Sequence, residues 1–334
     1  MPEHSFLRLA SPADLPAHLR GAVVAIGNFD GVHRGHQAVL ERALDLAREE
    51  GRPAVVLTFE PHPRSVFVPD QPVDRLTPAV EKAELLDALG FDAVVEQEFT
   101  RAFAEHTAED FVQSIIVDDL AASRVVTGFD FHFGKGRQGG PAFLMDAGKR
   151  LGFEVTLVDA FRDEGGEVVS SSRIRSLLGE GDVAGAAGLL GYRYTVESEV
   201  VGGKKLGRTL GFPTANMELP PQTHLKHGIY AVRFRRPDGS LHDGVASFGR
   251  RPTVDKDGSP LLETFLFDFA GDLYGETCAV SFFARLRGEE KFDSLDALMV
   301  QMRQDDAEAR AVLSGVRPLS QLDRAFNFEE KPSE

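Results

Sequence analysis

The stretch Ala22 to His36, AVVAIGNFDGVHRGH, decides how the first half of the chain is read. Ala22 to Ile26 form a short apolar run of the kind buried on both faces of a parallel sheet, and they predict a first strand. Gly27, Gly31 and Gly35 then allow close backbone approach, and the chain enters a helix near His33. A helix that starts at the carboxyl end of a strand offers unpaired N–H groups and the positive end of its dipole, which suits a phosphate. His33 and His36 are three apart, so both fall on one helical face and can donate hydrogen bonds to one triphosphate. Glycine-rich turns are common in α/β sheets, but ten residues combining three glycines, Asp30 and two histidines are not. A zinc site fits less well, because an i, i+4 pair and a nearby third ligand are both missing.

Outward from this turn, short apolar runs alternate with amphipathic segments from Ala22 to about Leu190: AVVLTF, DAVVEQ, SRVVTGF and FEVTLVD, with helical stretches between them. That alternation predicts parallel pairing through crossovers, hence a doubly wound α/β sheet with its ligand beyond the carboxyl ends of the strands. After Gly191 the texture changes to YRYTVESEVVGG, GIYAVRFRRPDG, HDGVASFG, LLETFLFDF and ETCAVSFFARL. Turn signals at Pro237-Asp238-Gly239 and Asp257-Gly258 punctuate these runs, which predicts a compact antiparallel barrel. A closing helix is expected from Ser294 to about Leu313, with Leu295, Leu298, Met299, Met302 and Ala309 as its apolar stripe. The small residues of GEGDVAGAAGLLG place the meeting of two domains near residues 184 to 192, and the domains are drawn as 1–186 and 187–334.

Composition sets the outer limits. The chain has 334 residues, 42% hydrophobic and 27% charged, as in an ordinary globular protein, and its length favours two domains. A formal charge of -15 argues against an extended nucleic-acid surface, while a few local basic residues can still hold a small anion. Cys278 is the only cysteine, which excludes an internal disulfide and a cysteine-based zinc site, and a buried structural thiol is the favoured reading. No basic leader followed by an apolar run, and no stretch of membrane-spanning length, is present; no membrane association and a cytoplasmic location are expected. The oligomeric state is left open.

Three further segments carry chemistry in the first half: TFEPHP at 58 to 63, GFDFHFGKGRQG at 128 to 139 and SSSRIR at 170 to 175. Arg175 offers a forked set of donors to phosphate oxygens, and Ser171 and Ser172 add hydroxyls and N–H groups at a helix start. With these, GxFDGxHxGH resembles the nucleotide-binding turn of the nucleotidylyltransferase superfamily, in the form carried by the prokaryotic bifunctional riboflavin kinase/FMN adenylyltransferase family, the FAD synthetases. The resemblance covers nearly the whole chain in order. It implies a Rossmann-like first domain in which Gly27, Phe29, Asp30, Gly31, Gly35, Ser171 and Ser172 bind ATP. It assigns Asp130, Phe131, Lys135 and Arg137 to the flavin side. His62, restricted between two prolines, is either a cover for an adenine or flavin edge or a rigid turn, and is placed with the flavin set. The implied reaction is attack of the FMN phosphate on the α-phosphorus of ATP with loss of pyrophosphate, with His33, His36 and Arg175 stabilising charge and Mg²⁺ offsetting it.

In the second half, GGKKLGRTLGFPTANM at 202 to 217 lacks the ending of a Walker A loop, yet its four glycines and basic residues suit a phosphate-covering flap. Gly202, Lys204, Gly207, Arg208 and Gly211 are its candidate ATP contacts. Pro213 fixes the chain before Thr214 and Asn216, whose neutral oxygens suit Mg²⁺ held jointly with phosphates. The segment resembles the PTAN motif of riboflavin kinases. Glu263, in the apolar strand LLETFLFDF, is either a solvent-facing barrel residue or a general base for the ribityl hydroxyl of riboflavin; the match to that family's strand favours the base. Arg251 in VASFGRRPTV completes the flavin set. Phe265, Ser247, Ser172 and His132 stand where the family pattern has histidine, asparagine, threonine and arginine. The resemblance therefore implies an enzyme that uses ATP twice, with FMN as intermediate and FAD as product.

Overall fold

The computed structural model describes residues 6–202, 213–250 and 260–330. It divides into two compact units, Met1–Ser171 and Ser172–Glu334. Lys204, Gly207, Arg208, Gly211, Arg251 and the turn at Asp257-Gly258 lie outside the described residues.

The first unit is built on a six-stranded sheet, β1 (Leu7–Leu9), β2 (Val23–Ile26), β3 (Ala54–Glu60), β4 (Ala93–Glu98), β5 (Arg124–Gly128) and β6 (Glu154–Val158), in the order β1-β4-β3-β2-β5-β6. Every neighbouring pair is parallel, as the alternation predicts. The run AVVAI is nevertheless the second strand: Leu7–Leu9 precedes it and pairs with β4 at the sheet edge. Three residues with one exposed among two half-buried give no readable period, and only the sheet edge makes them a strand.

The helices of this unit are α1 (Arg34–Glu50), α2 (Pro63–Phe67), α3 (Ala79–Leu89), α4 (Ala108–Asp110, continuing as a π-helix over Phe111–Asp119) and α5 (Pro141–Leu151). A sixth, α6 (Ser171–Glu180), begins at the division between the units. On one face of the sheet Val24, Ile26, Val55, Leu57, Val95 and Val125 join Phe111, Val112, Ile116, Leu144 and Ala147 in a continuous core. On the other, α1 lies against β2, β3 and β5 and turns Val39, Leu40, Ala43, Leu46 and Ala47 inward. Because β2 has β3 on one side and β5 on the other, the order reverses between β2 and β5, and their carboxyl ends open the crevice where such sheets bind ligands.

The second unit is a closed antiparallel barrel of β7 (Thr195–Val201), β8 (Thr214–Glu218), β9 (Gly228–Arg235), β10 (Leu241–Arg250), β11 (Pro260–Leu266) and β12 (Thr277–Arg287), ordered β10-β11-β8-β7-β12-β9. Alternate residues fill its interior, among them Met217, Tyr230, Val232, Phe234, Ala246, Phe248, Leu262, Val280 and Phe282. Cys278 belongs to the same buried alternation; burial, with Glu276 beside it, pushes its thiol up to about 12, so it is an inert core residue.

The helices here are α7 (Val183–Leu190), α8 (Leu295–Gly315) and α9 (Gln321–Asn327). The closing helix α8 starts where expected, capped by Ser294, but it docks through its second half. Ala309 and Leu313 pack with Ala231, Phe267 and Phe283, and Asp305 is gripped by Arg287 at 2.8 and 2.7 Å, whereas Leu295 is 58% exposed. The periodicity located the stripe correctly as helical, and only the second half of the helix supplies residues to the core. The C-terminal α9 is held by Asp323, wholly buried, which accepts from the Arg193 and Leu319 backbones at 3.0 and 2.8 Å, from Asn327 at 2.9 Å, and from the Arg193 guanidinium. Asp323→Ala would leave that guanidinium buried without its counter-charge, and is expected to destabilise the second unit by about 3–5 kcal/mol in a urea titration.

Candidate functional site

The turn after β2 is strained and held on three sides. Phe29 and Val32 have φ of 47° and 35°, and Gly31 has 90°. Left-handed backbone costs a non-glycine residue of order 1–3 kcal/mol, so the surroundings must enforce it. Asp30 does so: its Oδ1 accepts from the N–H groups of Leu76 and Thr77 at 3.0 and 3.3 Å and from Arg75 Nε at 3.4 Å. The Thr77 hydroxyl accepts from Gly31 N–H at 2.8 Å, and Ser171 Oγ donates to the Asp30 carbonyl at 2.9 Å. Asp30 and Ser171, expected at ATP, are thus seen fastening the turn, and the segment 75–77 that receives Asp30 was not visible as a partner in the sequence.

Beneath the turn lies a partly buried ionic cluster. Glu60, at the end of β3, accepts both guanidinium arms of Arg75 at 2.7 Å and Lys82 Nζ at 2.6 Å. Lys82 also donates to Thr58 Oγ1 at 3.0 Å and to the Asn28 carbonyl at 3.2 Å. Burial works against the Glu60 carboxylate, but Arg75 and Lys82 outweigh it and bring Glu60 down to about 2. Burial, with Arg75 nearby, lowers Lys82 against the opposing pull of Glu60. These residues went unread because each is unremarkable alone. One signal existed: Lys82 sits on the face of α3 that carries Leu85 and Leu86, where a lysine is out of pattern.

His33 and His36 are brought together, though differently from the expected helical pair. His33 is the cap residue of α1, outside the helix, and its Nδ1 accepts from His36 N–H at 3.2 Å. The two rings stack with centroids 3.6 Å apart, and Phe29 meets His36 edge-on at 5.5 Å. Nδ1, as acceptor, puts the His33 N–H on Nε2. Burial, then the electrostatic influence of His33 and Lys82, holds His36 well below the ordinary histidine range, so it is neutral at pH 7. Gly35 must lack a side chain, since a Cβ there would lie 3.1 Å from the His33 ring and 3.3 Å from the Val169 carbonyl.

The loop after β5 opens on the same edge of the sheet as the turn after β2. Asp130 is exposed at its start, and Phe131 stacks on buried Phe133 with centroids 5.4 Å apart. Lys135 pairs with Glu105 at 2.6 Å, and Arg137 is exposed with φ of 59°. His132 is exposed and contacts the Asp130 carbonyl at 2.7 Å. His62 caps α2, its Nδ1 accepting from Arg64 N–H at 3.2 Å. Ser172 and Arg175 lie on α6, exposed and half-buried respectively.

In the barrel, one row crosses three neighbouring strands: Ser247 of β10 opposite Glu263 of β11, and Glu263 opposite Asn216 of β8. Directly paired residues share a face, so Phe265, opposite Thr214, and Val245 extend that face outside the barrel. Glu263 is half-buried there, not fully solvated as the simple solvent-facing reading had it. Asn216 is 4% exposed; its Oδ1 is buried with no partner among the described residues, while its amide donates to the Thr214 carbonyl at 3.4 Å. Gly202 is exposed just beyond β7.

A family model described as FAD synthetase matches residues 15–173, and one described as riboflavin kinase matches residues 190–313. The bifunctional riboflavin kinase/FMN adenylyltransferase of Escherichia coli (strain K12) is 40% identical over 298 residues, covering 89% of this chain and 95% of that protein. Its counterpart in Haemophilus influenzae (strain ATCC 51907 / DSM 11121 / KW20 / Rd) is 41% identical over 298 residues, covering 88% and 94%. A crystal structure described as a macrolide-efflux protein from Streptococcus pneumoniae aligns with a TM-score of 0.80 at 31% identity, over 91% of this chain and 98% of that one. Among the described residues no helix is long and apolar enough to cross a membrane.

The depressed Glu60 carboxyl makes the first unit acid-sensitive in a defined window. A carboxylate whose pKa is lowered by folding contributes stability above its unfolded value, ~4.3, and loses it as the pH falls toward the folded value. The wild-type chain is therefore expected to exceed Glu60→Gln by on the order of 2 kcal/mol near neutrality, after allowance for solvent screening. Urea titrations from pH 6 downward should show that advantage shrinking below about pH 4 and nearly gone at about pH 2.

Proposed function

The chain belongs to the bifunctional riboflavin kinase/FMN adenylyltransferase family, and on that premise we propose which residues carry each of its two reactions. It phosphorylates riboflavin with ATP to give FMN, then adenylylates FMN with a second ATP to give FAD and pyrophosphate. We assign the second reaction to the turn 27–36 and the first to the barrel face of Glu263, with functional domains 1–186 and 187–334.

In adenylylation a phosphate oxygen of FMN attacks the α-phosphorus of ATP, and the bond to the bridging oxygen of pyrophosphate breaks. No side-chain nucleophile is needed, so the protein contributes positioning and charge stabilisation. The triphosphate lies at the N-terminus of α1 against Gly27, Phe29, Gly31 and Gly35. His33 donates from Nε2, His36 donates as a neutral imidazole, and Arg175 supplies the fixed positive charge; Ser172 adds a hydroxyl. The flavin lies along the loop of Asp130, Phe131, Lys135 and Arg137, with His62 at its edge.

In phosphorylation Glu263 takes the proton of the ribityl 5′-hydroxyl as its oxygen attacks the γ-phosphorus, and ADP leaves. The observation that carries this assignment is the lateral row Ser247–Glu263–Asn216, which sets a half-buried carboxylate beside a buried amide oxygen that lacks a partner among the described residues. An unsatisfied buried acceptor is costly unless something completes it, and a neutral oxygen shared with nucleotide phosphates suits Mg²⁺. Thr214 and Asn216 would hold the ion, which when bound offsets phosphate charge. Gly202, Lys204, Gly207, Arg208 and Gly211 cover the nucleotide, and Arg251 completes the flavin contact. Phe265 in place of a histidine gives that face an apolar surface. The cytoplasm is the setting we assign to both reactions.

Incubation with riboflavin, ATP and Mg²⁺ followed by separation of the flavins tests the scheme, and is expected to yield FMN and then FAD. Glu263→Gln should cut FMN formation by at least about 10²-fold while still converting supplied FMN to FAD. His36→Ala should do the reverse, losing about 10–100-fold in FAD formation and none in FMN formation. Loss of both activities in either variant, with folding intact, would overturn the division.

A further inference from the structure

Lys82 takes no part in either reaction as assigned, yet it is 0% exposed, a condition rare for lysine. As a purely structural device it would be a poor one, because well-packed apolar groups usually replace a buried ion pair without loss. Its three donors converge instead on the underside of the turn. One goes to Glu60 Oε1 at 2.6 Å, one to Thr58 Oγ1 at 3.0 Å and one to the Asn28 carbonyl at 3.2 Å. Thr58 hands its own proton to that same Asn28 carbonyl at 3.1 Å, so an ammonium and a hydroxyl act on one acceptor. That carbonyl belongs to the residue just before Phe29, where the backbone enters its left-handed stretch.

The cluster grips the turn a second time through Glu60. Glu60 holds Arg75 by two bonds of 2.7 Å, and Arg75, Leu76 and Thr77 together hold the Asp30 carboxylate. Asn28 and Asp30 bracket Phe29, and His33, the cap of the helix that begins at Arg34, stacks on His36 in its first turn. Displacement of the turn would move those rings off the phosphate, and a misplacement of about 1 Å can cost on the order of 10²-fold in rate.

We propose that Lys82 is a positioning residue for adenylyl transfer: with Glu60 and Thr58 it clamps the Asn28 carbonyl and so holds the strained turn that aims His33 and His36. The Coulombic influence of Lys82 on His36 agrees with a charge placed under the site. The inference rests on assigning adenylylation to this turn, and FMN formation by the second unit serves as an internal control.

The test is steady-state kinetics on the full chain. Lys82→Met is expected to lower kcat for FAD formation from FMN by about 10–100-fold, with KM for FMN changed less than ~3-fold and FMN formation from riboflavin unchanged. Because that variant leaves Glu60 with one partner fewer, the double variant Lys82→Met/Glu60→Gln removes ion and counter-ion together. Its urea midpoint should return toward wild type while FAD formation stays low. Thr58→Val, a milder change that deletes only the hydroxyl, should lower the same kcat several-fold. Wild-type kcat in Lys82→Met, or recovery of kcat together with stability in the double variant, would overturn the proposal. Equal loss in kcat/KM through KM alone would overturn it too, since that pattern marks lost ground-state binding. A wild-type chain that makes no FAD would instead defeat the underlying assignment.

Discussion

The carboxylate of Glu60, flanked by Arg75 and Lys82, is the interaction on which the first unit's site depends. A strand of four residues, β2, cannot by itself enforce left-handed backbone at Phe29 and Val32. The enforcement comes from side chains on β3, on α3 and on the segment between them, each reaching a different atom of the turn. Such a cluster is stable only when every charge has a partner, and here burial is offset by short charge-assisted bonds on both sides of the carboxylate. Its consequence is a turn fixed at several of its atoms. With no nucleophile to place, precision in the donors is the main contribution a protein can make.

The barrel solves the corresponding problem without a strained turn. Cross-strand register puts Ser247, Glu263 and Asn216 side by side, and the pleat keeps them off the apolar interior that fills with Leu262, Ala246 and Met217. Rigidity there is a property of the hydrogen-bonded ladder itself. The helix α8 covers the neighbouring part of the outer face, and Arg287 with Asp305 ties it to β12. A half-buried carboxylate beside a buried amide results from this arrangement.

Much of this was legible along the chain. The alternation of apolar runs and amphipathic segments carried the parallel sheet and the barrel, because periods of 2 and 3.6 are local properties of the backbone. GNFDGVHRGH was read as a phosphate turn, and the structure brings its two histidines into contact. The edge strand Leu7–Leu9 was not legible, since three residues hold no period. Nor was the place of His33, which caps the helix instead of joining it; a cap and a first helical residue differ by one set of dihedral angles that composition does not encode.

What the sequence determined by itself was the kind of fold and the order of its two halves, both of which depend on neighbours within a few positions. The tertiary structure alone decided that Asp30 faces the segment 75–77, that Lys82 and Thr58 meet on the Asn28 carbonyl, and that Glu263 lies beside Asn216. These pairs are separated by tens of residues, and only the closing of the sheet and the barrel register brings them within hydrogen-bonding or cross-strand distance.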